Sequence, residues 1–149
     1  SIKEEISLVI NNLPVDCFSN ELTSLDLSST QVYGPLHDAL DKLVGQMKNL
    51  ESLVLPNNSI SGHLPASLGQ FHSLRVFDVS MNMLSGSLPQ SIGSLKNLWE
   101  LDVSSNNFSG SLPQSIGGLK NLWELDVSSN NFSGSLPQSI GGLKNLWEL

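Results

Sequence analysis

Hydrophobic residues recur along the chain with a period of about 24 residues, a spacing typical of repeat architectures. Leu50, Leu74, Leu98, Leu122 and Leu146 begin successive units of equal length. In such an architecture, each unit buries its apolar face against its neighbours. The units that begin at Leu98 and Leu122 are identical letter for letter, LWELDVSSNNFSGSLPQSIGGLKN. The pattern therefore predicts one domain of stacked units.

Within a unit, the spacing of apolar residues predicts a strand, a turn and a short helical segment. The alternation of Leu101 and Val103 with polar residues indicates a short strand with one buried face. Ser109-Gly110 permits a sharp bend, and Leu112-Pro113 then starts a 3₁₀ or short helical turn. We expect each unit to point the same set of apolar residues inward; in the unit that begins at Leu98 they are Leu98, Leu101, Val103, Phe108, Leu112, Ile116 and Leu119.

The unit boundaries place the whole chain, 1–149, in a single domain. We divide it into a partial unit at 1–21, a longer unit at 22–49, four regular units over 50–145, and the start of a truncated unit at 146–149. The long unit, 22–49, has apolar residues at 36, 40, 43, 44 and 47, which fit an amphipathic helix of about three turns. This unit is therefore predicted to carry a longer helix than the others.

In the four regular units, an asparagine follows the predicted strand at the same position. Its amide can both donate to and accept from the backbone at a corner where no regular ladder exists. Thr30 stands at this position in the long unit. The pattern predicts a structural ladder of Asn58, Asn82, Asn106 and Asn130.

The repeated string L-x-x-L-x-L-x-x-N-x-x-S-G-x-L-P-x-x-[IL]-G resembles the plant-specific class of leucine-rich repeats. It recurs in phase from about residue 22 to 149, for example at Ser109-Gly110-Ser111-Leu112-Pro113. That class occurs in receptor-like kinases, receptor-like proteins and polygalacturonase inhibitors of the plant cell surface. The resemblance implies an α/β solenoid, a right-handed superhelix with a concave parallel β-sheet and a convex side of 3₁₀ or short helices. It also implies a second, smaller strand around the Ser-Gly segment.

The same resemblance implies a recognition module of the extracellular surface that binds a protein or peptide through its concave face. Two alternatives remain open from the sequence: a structural scaffold that self-associates head to tail through its ends, and an inhibitor of a cell-wall hydrolase. The cysteine pairs that cap such ectodomains are absent. We therefore expect an internal fragment of a larger ectodomain or an engineered array, since both recent duplication and deliberate concatenation would produce identical units.

Composition excludes several classes of function. The chain has 7 Lys+Arg against 14 Asp+Glu, a net charge of -7, which argues against nucleic acid because phosphate binding needs a basic face. The acidic balance favours a basic protein or peptide as partner. No apolar run approaches the length of a membrane span, and residues 1–5 do not have the pattern of a signal peptide. A natural parent protein would still be extracellular by its resemblance.

Outward strand positions form columns across the stacked units, and two of these columns are acidic. Adjacent strands lie about 4.8 Å apart, so equivalent residues become neighbours. One interpretation is functional: the columns form an acidic strip that binds a basic peptide or protein. The competing interpretation is that Leu-Asp-Leu-Ser belongs to the ordinary repeat framework, in which the aspartate supports solubility. The predicted ligand-binding residues are Val76, Asp78, Glu100, Asp102, Ser104, Glu124, Asp126 and Ser128.

A row of tryptophans precedes the strands. Trp99 and Trp123 could hold sugars or peptide side chains, or they could shield the edge of the core. The chain also contains three glycosylation sequons, at Asn57, Asn107 and Asn131.

The sequence shows no catalytic motif, and we predict no cofactor and no metal site. His37, His63 and His72 fall in different parts of their units, so stacking is not expected to bring them together. Cys17, the only cysteine, occupies an apolar core position and is predicted to be a buried small hydrophobe.

Overall fold

The computed structural model describes residues 4–11 and 23–143. The predictions for Cys17 and for Leu146 lie outside the described residues. One five-stranded parallel sheet, here called the main sheet, has the order β10-β8-β6-β4-β2, so each unit adds one strand beside the last. Its strands are β2 (Ser24–Asp26), β4 (Ser52–Val54), β6 (Val76–Asp78), β8 (Glu100–Asp102) and β10 (Glu124–Asp126).

The pairing of the main strands keeps equivalent residues of successive units side by side. Leu125 pairs with Leu101, and Leu101 pairs with Phe77, so the central residue of each strand forms one inward column. Every predicted inward residue of the unit at Leu98 is buried, which confirms that prediction. Leu122, which begins the next unit, is also completely buried. Because each unit shares its apolar side chains with its neighbours, the core is continuous along the solenoid.

A second, smaller strand lies at or just before the bend of each unit, as the resemblance implied. These strands are β3 (Val32–Pro35), β5 (Ser59–Ser61), β7 (Ser85–Gly86), β9 (Asn107–Gly110) and β11 (Asn131–Phe132); β1 (Glu4–Glu5) pairs with β3. Their register differs from that of the main sheet. Ser85 pairs with Asn107, whereas its equivalent one repeat later is Ser109. The pairing in the second sheets is therefore shifted relative to the repeat: Ser85 faces position 107, not the equivalent position 109.

The side opposite the main sheet consists of short helices. Four 3₁₀ helices occupy Ala66–Gln70, Gln90–Ser94, Gln114–Gly118 and Gln138–Gly142. The long unit instead carries the α-helix α2 (Leu36–Gln46), which confirms the predicted longer helix, and α1 (Ile6–Asn11) packs against it. The apolar stripe of α2 is buried in the core through Leu36, Ala39, Leu40, Leu43 and Val44.

A non-glycine residue with left-handed backbone recurs just after each main strand. The φ angles are 53° at Ser29, 58° at Asn57, 53° at Met81, 55° at Ser105 and 55° at Ser129. This conformation costs most residues about 1–2 kcal/mol, and asparagine tolerates it better than others. The turn after each main strand is therefore strained, and backbone hydrogen bonds between units, such as that from Ser105 N–H to the Ser128 carbonyl, offset this cost.

Candidate functional site

The outer face of the main sheet carries two acidic columns. Glu100 pairs with Glu124, while Asp102 lies between Asp78 and Asp126 on the adjacent strands. These side chains point outward because they alternate with the buried Leu101 and Leu125 along their strands. Neither column contains a lysine or an arginine. We call the five carboxylates Asp78, Glu100, Asp102, Glu124 and Asp126 the acidic patch.

The surroundings of Glu100 within the acidic patch change its protonation. Its pKa is raised to about 7, first because its protonated carboxyl donates a hydrogen bond to Glu124, and then because of partial burial and the nearby negative charges of Glu124, Asp78 and Asp102. Partial burial also raises the pKa of Asp102, against the hydrogen bonds from Ser104 that favour its charged form. Glu100 is therefore partly protonated near neutral pH.

The aspartates of the patch also have a structural role. Asp102 Oδ1 accepts a hydrogen bond from the backbone N–H of Ser104 at 3.0 Å and from its hydroxyl at 2.6 Å. Ser128 donates the same two hydrogen bonds to Asp126, and the backbone N–H of Ser80 donates to Asp78. These bonds close the turn after each strand, so the aspartates have a structural role at the corner in addition to the negative charge that they place on the outer face.

The structure differs from the sequence expectation at Ser104. Its side chain is buried and its hydroxyl is directed to Asp102, so it does not present a hydroxyl to a ligand. Ser128 makes the equivalent hydrogen bond but is exposed, and Val76 is half-buried beside Glu100.

The tryptophan row extends into a column that sequence reasoning missed. Trp99 and Trp123 are 49% and 54% exposed, so neither is covered by the core. Arg75 occupies the same position one unit earlier and places its guanidinium 5.0 Å from the centre of the Trp99 ring. Glu51, one unit earlier again, forms a salt bridge with Arg75, with 3.1 Å between Glu51 Oε1 and Arg75 Nε. The signal was available, since all four residues directly follow the first leucine of their units.

The asparagine ladder connects each unit to the one before it. Asn106 Nδ2 donates to the carbonyl oxygens of Val79, Val103 and Ser104, and Asn106 Oδ1 accepts from the N–H of Leu84 at 3.0 Å. Asn58, Asn82 and Asn130 make corresponding bonds across to the preceding unit. At the Thr30 position, the Thr30 hydroxyl donates to the Leu27 carbonyl at 2.6 Å.

The prediction that the three histidines stay apart is wrong for two of them. His37 and His63 stack with their ring centres 4.6 Å apart and their planes inclined by 16°. The reason is the stagger of the second sheets: Tyr33 on β3 pairs with Ser59 on β5, rather than with Ser61 at the equivalent position of the next unit. Asp38 lies 3.6 Å from His37, and His37 Nδ1 is buried without a hydrogen-bond partner.

The sequons differ in their surroundings. Asn107 and Asn131 are exposed on β9 and β11, whereas Asn57 donates from Nδ2 to the Ser29 hydroxyl at 2.9 Å. Over the residues that the structure describes, no group of three or more His, Cys, Asp or Glu is arranged to hold a metal ion. Within the same residues, no helix has the length and apolar character needed to cross a membrane.

Comparison with known proteins matches these observations. Leucine-rich-repeat family models match residues 48–108 and 121–143. The ectodomain of the Arabidopsis thaliana receptor kinase SOBIR1 is 33% identical, with 85% of this chain and 67% of that one covered and a TM-score of 0.76. The chain therefore belongs to the leucine-rich-repeat family of plant receptor ectodomains. A search of curated protein sequences returned no match.

Two further solved structures are complexes. PEPR1 with AtPEP1 is 33% identical with a TM-score of 0.81, over 92% of this chain and 19% of that one. The plant peptide hormone receptor RGFR1 with RGF2 is 31% identical with a TM-score of 0.75, over 91% of this chain and 25% of that one. This chain thus spans about a fifth to a quarter of those two receptors.

Proposed function

We propose that this chain is a non-catalytic recognition module that binds a basic peptide or protein segment on the outer face of the main sheet. The observation that carries the proposal is the acidic patch: five carboxylates on three adjacent strands, in columns without a basic residue. A lysine or arginine laid across these strands would meet a carboxylate on each one. Because the strands are parallel and in register, an extended segment can contact successive units in turn.

The protonation of Glu100 supports a cationic ligand. The hydrogen bond to Glu124, partial burial and nearby negative charges all raise the pKa of Glu100, and a positive charge beside the pair would instead favour the charged form of both carboxylates. Binding would then release the proton at neutral pH and replace it with an ion pair. Exposed ion pairs are individually weak, each worth about 0–1 kcal/mol, so several must act together.

The relatives supply the second support. RGFR1 is a peptide hormone receptor that was solved with RGF2, and SOBIR1 is a receptor kinase ectodomain. By this likeness we place the natural parent of this chain at the plant cell surface, facing the extracellular space. We define the proposed ligand by its chemistry, as a basic segment, and not by the ligands of the related receptors.

The test is calorimetric titration with a lysine-rich peptide and with its glutamine-substituted counterpart. We expect binding of the lysine peptide alone, weakening as salt rises because the contacts are between exposed charges. Glu100→Gln with Glu124→Gln should reduce the affinity about tenfold, since two ion-pair partners are lost. Asp38→Asn on α2 removes one exposed charge elsewhere and serves as the control. Equal binding of both peptides, or an unchanged affinity in the double variant, would reject the acidic patch as the site.

A further inference from the structure

A polar cleft lies at one edge of the main sheet, away from the acidic patch. It has a volume of about 320 Å³, within the range of about 300–1,000 Å³ typical of small-ligand sites. Its lining comes from the residues that lead into four consecutive strands: Thr23, Asn49, Glu51, Ser73, Arg75 and Asn97. The cleft therefore crosses several units, and its walls repeat with the solenoid.

The charge of the cleft is balanced internally. Arg75 Nε lies 3.1 Å from Glu51 Oε1, and both side chains are about half exposed. The other four lining residues are uncharged, so the formal charges of the cleft sum to zero. The whole chain carries a net charge of -7, which repels an anion from the remaining guanidinium N–H groups. A ligand with a carboxylate or phosphate is thus a poor match. A cationic ligand is a poor match too, because Arg75 already neutralises the charge of Glu51.

The hydrogen-bonding groups of the cleft both donate and accept. Thr23 and Ser73 carry hydroxyls, Asn49 and Asn97 carry amides, and each of these four side chains can do both. Arg75 adds donors and Glu51 adds acceptors. A hydroxyl group is likewise donor and acceptor, so a ligand rich in hydroxyls can satisfy this set, whereas a purely accepting or purely donating ligand cannot.

Two of the groups are held in place before any ligand arrives. The Arg75 guanidinium is fixed between Glu51 and the Trp99 ring, whose centre is 5.0 Å away. The Asn97 amide donates to the His72 carbonyl at 2.9 Å, which fixes its plane and leaves Oδ1 as an acceptor. The half-exposed Trp99 indole does not line the cleft itself but lies beside Arg75, which does. Preorganised polar groups beside an indole suit a ring that has both hydroxyls and C–H faces.

We infer that this cleft, lined by Arg75 and lying close to the Trp99 indole that Arg75 contacts, binds a neutral oligosaccharide. The inference concerns a surface separate from the acidic patch and does not depend on the proposed peptide function. Free polysaccharide and the glycan of a glycoprotein share this chemistry. The length of the cleft, across several strands spaced about 4.8 Å apart, favours a chain of sugars over a single ring.

The experiment is calorimetric titration, with tryptophan fluorescence as a second readout, of the full chain with cellohexaose, xylohexaose, mannohexaose and the anionic hexagalacturonate. We expect at least one neutral hexaose to bind and to change the tryptophan emission, and hexagalacturonate to bind at least tenfold more weakly. A glycoprotein with high-mannose N-glycans, compared with its enzymatically deglycosylated form, distinguishes the two sources. Preference for a free hexaose identifies polysaccharide, and glycan-dependent capture of the glycoprotein identifies a protein-borne glycan.

Matched variants locate the site. Ser73→Tyr fills the cleft and Arg75→Leu removes its donors, and each should lower the affinity about tenfold or more. Ser94→Tyr places the same ring on an exposed position of the 3₁₀ helix Gln90–Ser94 and should leave binding unchanged. Thermal unfolding confirms that each variant is folded. The inference is overturned by failure of all neutral hexaoses to bind at millimolar concentration, by tighter binding of hexagalacturonate, or by full affinity in both folded cleft variants.

Discussion

Gly117 and Ser139 approach so closely that a Cβ added to Gly117 would lie 2.3 Å from the Cβ of Ser139. The contact joins the 3₁₀ helices of two successive units, and the Ser139 hydroxyl donates to the Gln114 carbonyl at 2.7 Å in the same place. Gly93 meets Ser115 in the same way one unit earlier, at 2.6 Å. The missing side chain thus sets the spacing between neighbouring helices.

Gly117→Ala should therefore destabilise the protein by about 1–3 kcal/mol, because the added methyl group forces the two helices apart. Urea unfolding followed by circular dichroism measures the change. Gly118→Ala is the control: there the one close approach of an added Cβ is to the flexible end of Lys96, at 2.9 Å, and little loss is expected. Equal losses in the two variants would mean that helix spacing is not the cause.

The stability of the chain should fall as pH rises from about 4.5 to 7. The folded pKa of Glu100 is raised to about 7 from 4.5, so the folded state holds a proton that the unfolded state has released in this window. The contribution is complete below the unfolded pKa and is lost as pH passes through the folded one. Glu100→Gln should flatten this dependence and raise stability at pH 8 by about 1 kcal/mol, a figure discounted for solvent screening.

Thermal melts across pH 4.5 to 8 on the parent chain and on Glu100→Gln check that prediction. Glu51→Gln serves as the comparison, since Glu51 lies beside Arg75 and outside the acidic patch. A parent chain whose stability rises over this range, with a parallel profile for Glu100→Gln, would contradict the shared proton between Glu100 and Glu124.

Met81→Asn should stabilise the protein by about 0.5–1 kcal/mol, because asparagine tolerates left-handed backbone better than methionine does. Met81 has φ 53° and is 51% exposed, so the exchange removes backbone strain and sacrifices little burial. Asn57 already occupies the equivalent corner with φ 58°. Met83→Asn, at a neighbouring position that is 60% exposed, removes the same side chain without that strain and should not stabilise. Chemical denaturation of both variants separates the backbone effect from the loss of an exposed methionine.

Gly45→Ala should stabilise helix α2 by about 0.5–1 kcal/mol, because alanine loses less backbone freedom in a helix than glycine does. Apart from Gly45 itself, its two chain neighbours and the nearby backbone of its own helix, no described atom lies within 4 Å of an added Cβ at Gly45. Gly34→Ala should act in the opposite direction, since Gly34 has φ 100° and an added Cβ would lie 2.7 Å from Glu5 Cγ. Differential scanning calorimetry of the two variants should give melting shifts of opposite sign.

The fold could be predicted from the sequence because the repeat period indicates which residues occupy equivalent positions in successive units. The burial of Leu98, Phe108 and Ile116 and the helix over Leu36–Gln46 both followed from apolar spacing. The repeat period could not predict contacts where the pairing of strands is shifted relative to the repeat. The stacked His37 and His63 result from a stagger that depends on backbone geometry in the second sheets, which no letter of the sequence encodes directly.

The candidate site was predicted in part for a similar reason. The acidic columns could be read from the repeat, because main-sheet register and repeat length coincide at Glu100 and Glu124. The burial of Ser104 could not, since it depends on which way a hydroxyl turns at the corner. The repeat already placed Glu51 and Arg75 in one column with Trp99, but the ion pair of Arg75 with Glu51 and its contact with the Trp99 ring could be seen only in the structure.

The asparagine ladder gives the solenoid a direction. Asn130 supplies its acceptor to Phe108 and its donor to Val103, both in the unit before it, so each unit depends on its successor to satisfy backbone groups. At the asparagine corner, detaching the later unit would leave the buried N–H of Phe108 without its acceptor, whereas detaching the earlier unit would leave the Asn130 amide to be hydrated. Amide hydrogen exchange at Phe108 and Leu84 should consequently follow the loss of the succeeding unit, whose asparagine accepts from each of these N–H groups.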